Sequence, residues 1–248
     1  GIYMMKRALI VLLLMMMVSL LGCKSKDTNE SEKVPVETLQ PTITITPTPV
    51  PPTPTPTPVN HDNDVKSKLT GLWVPKEIGT KRPYAIMFNN IKFVNPQCGT
   101  SEAGILYEAL AEGGITRLMG IFEELNEDRI GSIRSARHYF VSFADEYDAI
   151  YVHYGETTYA TKKIKELGID NLSGLTGIEP TVFYRDKSIK KPHNAFASKE
   201  GILKGTEIKG YDTKYDEDYE GHYTFFEEDT ELDSGKVVNQ VTLPFSND

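Results

Sequence analysis

YEALAEGGITRLMGIFEELNEDRIGSIRSARHY, residues 107–139, is the stretch on which the fold turns. The segment Ser101 to Glu112 that leads into it places Ala103, Leu106 and Leu110 at helical spacing, and Gly113-Gly114 supplies a helix stop, so a helix is expected there. Glu108 and Glu112 then share one helix face, where like charges repel by on the order of a few tenths of a kcal/mol and the negative dipole end disfavours anions. At the other end Arg134 and Arg137 flank Ser135, a good N-cap for a helix from Ala136 to Tyr147, and there cations are the disfavoured sign. In one reading the two defects cancel, with Glu108 and Glu112 pairing Arg134, Arg137 or Arg117 in an internal ion network. In the other the arginines and the free N–H groups of the Ala136 helix form an anion site, and the glutamates position the guanidinium groups.

Outward from this stretch, Tyr84–Phe88, Ile115–Phe122 and Ala149–Tyr154 read as buried strands, and 156–167 reads as a helix. Strands alternating with helices predict an α/β fold with a mixed, partly parallel sheet flanked by helices. Ligands in such sheets sit beyond the carboxyl ends of strands, the place of His153 and Tyr154. His153 is either a structurally hydrogen-bonded histidine or a ligand contact. Val182–Asp186 is strand-like, and the basic turn 190–194 brings His193 and Asn194 toward the same rim. With no His-x-His, His-Glu-x-x-His or paired-cysteine spacing, neither a metal nor a cofactor is expected.

The ends have another character. Lys6-Arg7 and the apolar run Ala8–Leu21 have the form of a secretory signal over residues 1–22, too short for the roughly 20 residues of a membrane span. The run closes on Leu20-Leu21-Gly22-Cys23, which resembles a bacterial lipoprotein processing box, so Cys23 is the expected lipidation site. Cys98 is then a lone thiol, read as a small half-buried side chain. Residues 23–70 are expected to be a disordered spacer, because proline alternates with threonine from Pro41 to Pro58 and favours polyproline II. Processing removes Lys6 and Arg7 and takes the net charge from −8 to −10, so nucleic acid is not an expected partner. The body is placed at 71–210. Asp216, Asp218, Glu220, Gly221 and Glu227 fall at EF-hand spacing, yet the flanks lack helices and Phe225–Glu227 reads as strand, so 211–235 is taken as an acidic linker. Lys236–Leu243 is a strand candidate, and 211–248 is expected to hold the truncated start of a second domain.

Arg82-Pro83, the run 107–117, Ile130 to Arg137, Tyr151 to Gly155 and Pro192-His193-Asn194 together resemble the YerB-like bacterial lipoproteins. The resemblance covers Trp73 to Ser198 and corresponds to the family's amino-terminal domain, a domain of unknown function. It implies a lipoprotein at the outer face of the cytoplasmic membrane and brings no catalytic residues with it. Tyr154 stands where the family often has a smaller residue, which narrows any pocket there. The expected function is a non-catalytic module binding an anionic ligand, a cell-wall component or an envelope protein at a rim of Arg117, Arg134, Arg137, His153 and His193. The alternative is an enzyme acting on cell-wall material, with Glu108 or Glu112 as acid or base and Arg137 steadying negative charge. No Gly-x-Ser-x-Gly, Ser-x-x-Lys or Cys-His signature accompanies it.

Overall fold

A computed structural model describes residues 60–94 and 96–242. The signal segment, Cys23 and the proline-threonine spacer lie outside the described residues. In chain order the described strands are β1 (Asp64–Lys66), β2 (Trp73–Pro75), β3 (Tyr84–Asn89), β4 (Ile105–Leu110), β5 (Thr116–Phe122), β6 (Ile130–Gly131), β7 (Ile150–His153), β8 (Asn171–Ser173), β9 (Phe183–Arg185) and β10 (Ala195–Ala197). The α-helices are α1 (Lys76–Gly79), α2 (His138–Asp145), α3 (Thr158–Leu167), α4 (Glu179–Val182) and α5 (Lys199–Lys209).

The main sheet has the order β4-β5-β3-β7-β8. β3 pairs antiparallel with β5 and parallel with β7, and β7 pairs parallel with β8 across the α3 crossover. All six residues of β3 are buried. Its side chains alternate between two apolar layers, as a strand covered on both faces requires. Tyr84, Ile86 and Phe88 join Val182, Phe183 and Ile202 on one face. Ala85 and Met87 join Phe140, Val141, Ala144 and Ala160 of α2 and α3 on the other. The fold is therefore α/β with a mixed sheet between helices. A three-stranded antiparallel sheet, β6-β10-β9, lies apart from the main one. At the amino ends of the parallel strands, Arg82 donates from Nε to the Asp148 carbonyl and from Nη1 to the Asp170 carboxylate, both at 2.7 Å.

Four expectations need correction. The segment expected to be a helix over 101–112 is a 3-10 turn at Thr100–Glu102 followed by the edge strand β4, which pairs with β5 along its length. A spacing of four, as between Leu106 and Leu110, satisfies both the helical and the strand period, whereas Ile105, Tyr107 and Ala109 pack toward the core at period two. Gly113 and Gly114, at φ +71° and +72°, close the β4–β5 hairpin instead of stopping a helix. The helix expected from Ala136 begins at His138 with Arg137 at its N-cap, so Ser135 caps nothing. The spacer was expected to reach residue 70, yet β1 pairs with β2 and Leu69 enters the core. Finally, Phe225–Glu227 and the described part of Lys236–Leu243, up to Thr242, are irregular and exposed.

Ile86→Ala, in the middle of β3, should cost about 2–5 kcal/mol in urea unfolding. Leu110→Ser on the outward face of β4 should stay within about 0.5 kcal/mol.

Candidate functional site

Asn89 ends β3 and pairs in register with Arg117 near the start of β5, so both stand at the carboxyl end of the parallel pair β3–β7. An extended segment crosses that end. Ser132 accepts from the Asn89 N–H, Arg134 N–H donates to Met87, and Ala136 N–H donates to Gly155, at 2.8 to 3.1 Å. This crossing sets Arg134, Ser135 and Arg137 beside Arg117. The Ser135 carbonyl accepts from Arg117 Nη1 at 2.7 Å, and Ala136's accepts from Arg137 Nη1 at 2.8 Å. From the hairpin tip, Glu112 receives the side-on edge of Arg137, with Nε to Oε1 at 2.6 Å and Nη2 to Oε2 at 2.5 Å. Arg117 Nη2 lies 3.7 Å from the same carboxylate.

Between these groups lies a pocket of about 210 Å³, lined by Arg117, Arg134, His193, Asn89 and Glu112 with Ile91, Ala111, Ile115 and Thr116. Arg117 is only 7% exposed. Arg134 donates from Nη1 to the Pro192 carbonyl at 3.3 Å, and its buried Nε has no partner among the described residues. His193 Nδ1 lies 2.8 Å from the Asn89 amide nitrogen, which makes it the acceptor and leaves the proton of the neutral ring on Nε2.

The profile of the N-terminal domain of DUF3048, a family of proteins of unknown function, matches residues 69–212. The chain belongs to this family. YerB of Bacillus subtilis (strain 168), whose name describes it as a candidate lipoprotein, is 39% identical over 150 residues, which are 60% of this chain and 45% of YerB. The crystal structure of Bacillus subtilis YerB superposes with a TM-score of 0.56 over 60% of this chain and 51% of that one. The chain thus spans about half the length of the relative it matches.

Several of the expected site residues of this DUF3048 domain lie away from the pocket. Glu108 meets no arginine among the described residues: its Oε1 accepts from Asn90 at 3.0 Å and from Thr116 at 2.5 Å. His153 is fully buried behind the rim, with Nδ1 donating to the Gly155 carbonyl at 2.9 Å and Nε2 3.2 Å from Asn171 Oδ1, and burial pushes its pKa down. Asn194 is buried as well, accepting from Arg185 and donating to the Asp186 carbonyl, both at 2.9 Å. Ser135 enters through its carbonyl, while its hydroxyl donates to the Tyr154 carbonyl. Tyr154 donates to Glu179 at 3.0 Å and carries the Arg185 guanidinium over its ring. Asn89, Ile91, Ala111 and Ile115 were not expected at the site; the position of Asn89 at the end of a fully apolar run was the available signal.

Electrostatically the DUF3048 pocket is cationic. Burial first, then Arg137 and Arg134, lowers the Arg117 pKa to about 10. Burial, then Arg137, lowers that of Arg134, and burial with Arg134 and Arg117 lowers that of His193. The bond from Arg137 holds Glu112 at about 2. A carboxylate held there carries no proton at neutral pH and is a weak base, which disfavours Glu112 as an acid or base.

Because the folded pKa of Glu112 lies below the unfolded value of 4.5, its contribution is full above about pH 4.5 and is lost as pH falls toward about 2. The carboxylate is 64% exposed, so screening limits that contribution to at most about 1 kcal/mol. Denaturant unfolding should therefore show Glu112→Gln less stable than wild type by up to about 1 kcal/mol at pH 7, a gap that closes by about pH 2.

Proposed function

We propose that this protein is a lipoprotein held at the outer face of the cytoplasmic membrane through lipid on Cys23, with a DUF3048 domain that is a non-catalytic binding module for an anionic ligand or the acidic group of a partner. Membership of the family and the name of the relative support the lipoprotein reading, together with Leu20-Leu21-Gly22-Cys23. A cell-wall component or an envelope protein is the class of partner that such an address brings within reach.

One observation carries the binding reading. Arg134 lines the pocket and its buried Nε has no acceptor among the described residues, where the buried Arg117 of the same pocket has only Glu112 within ion-pair distance. A guanidinium N–H removed from water and left unpaired costs about 1–3 kcal/mol, and an incoming anion would satisfy it.

Radiolabelled palmitate should enter the wild-type chain expressed with its export signal in a Gram-positive host and should not enter Cys23→Ser, which should appear in the medium. Equal labelling of both would end the lipoprotein reading. For the pocket, thermal melting of the chain in acetate and in phosphate should show stabilisation that grows with anion concentration at constant ionic strength. Arg134→Gln should melt within a few degrees of wild type without anion and lose that increment.

A further inference from the structure

We infer that the pocket takes a carboxylate carrying a small aliphatic group, as at the carboxyl end of a short peptide, with the unpaired edge of Arg134 gripping the carboxylate and Ile91, Ala111 and Ile115 covering the carbons. The inference rests on the anion-binding reading and names the chemistry of the ligand.

The donors are side chains. Among the lining residues, Asn89, Ala111 and Arg134 have already committed their backbone N–H groups to the carbonyls of Ser132, Ile115 and Met87. Phosphate sites are typically built from such N–H groups at helix starts and nests, and these three cannot serve as one. What is unpaired is a guanidinium edge. Arg134 uses Nη1 on Pro192, which leaves the edge made by Nε and Nη2. That edge matches the two coplanar oxygens of a carboxylate. Glu112 of the pocket wall supplies an internal example, since Arg137 beside it grips that carboxylate through its own Nε and Nη2.

The walls supply the second half of the argument. A bare anion occupies a small part of about 210 Å³, a space equal to about seven waters at about 30 Å³ each. Water left against Ile91, Ala111 and Ile115 gains few hydrogen bonds, whereas methyl or methylene groups there bury apolar surface. The volume lies below the 300–1,000 Å³ typical of drug-sized ligands, which limits the bound part to an end group. Charge agrees: among the described residues Glu112 lies within ion-pair distance of Arg117 and Arg137, no carboxylate lies within that distance of Arg134, and a ligand carboxylate reduces the excess of positive charge.

Calorimetric titration of the chain with N-acetyl-alanyl-alanine in both enantiomers, its carboxyl-terminal amide, propionate, acetate and inorganic phosphate tests this. An aliphatic acid should bind at least about tenfold more tightly than the amide, acetate and phosphate. Propionate equal to the dipeptide acid would make a free short-chain acid the source, within the same chemistry. Arg134→Gln should weaken the acid by about tenfold or more and leave the amide unchanged. Ile115→Ser, at a half-exposed position, should erase the advantage of the aliphatic acid over acetate while melting like wild type. Phosphate binding more tightly than every carboxylate would overturn the inference and leave the anion reading standing. Failure of every anion, with the fold intact by circular dichroism, would overturn both.

Discussion

Burial of β3 on both faces and along both edges governs this fold. A strand that exposes none of its six residues cannot stop at a half-covered sheet: it needs an antiparallel neighbour, a parallel neighbour and helices above and below. The parallel neighbour in turn calls for a long crossover. Part of that crossover is the segment from Ser132 to Ala136, which runs over the carboxyl end of β3 and takes hydrogen bonds from Asn89 and to Met87. The cationic pocket is thus a by-product of how the central strand is closed off.

Burying Arg117 at that closure carries a desolvation cost that the Ser135 carbonyl offsets and Glu112, 3.7 Å away, offsets only in part. The positive surplus beside it is therefore a property of the backbone route, since Arg134, Ser135 and Arg137 occupy three of four successive positions on one crossing chain. A rigid crossing of this kind holds its guanidinium groups in place before any ligand arrives, which lowers the ordering cost of binding.

The fold class was legible from residues because the apolar runs of β3, β5 and β7 are long enough to exclude other readings. The hairpin strand β4 was not. Its two outward leucines sit four apart, a spacing common to both periods, and it lies at an edge where half its side chains meet water. The arginines stood out as a group in the sequence because their charge sits badly at a helix start, yet the assumed helix starts two residues later and the crossing chain sets them side by side. His153 and Asn194 look like site residues in sequence because polar groups at strand ends often are. Their partners, Gly155 in one case and Arg185 with Asp186 in the other, are visible only once the turns close. The apolar wall from Ile91 and Ile115 was hidden for the opposite reason, since isolated isoleucines read as core.

The outer position of β4 also governs how copies of the chain meet one another. Among the described residues its far edge has no strand beside it, and its outward face alternates Leu106, Glu108 and Leu110. Two such edges are a template for sheet extension from one molecule to the next. Glu108 interrupts the template at its middle: antiparallel pairing of two copies centred there sets one carboxylate against another between the leucines. That repulsion acts as a guard on the colloidal behaviour of the chain.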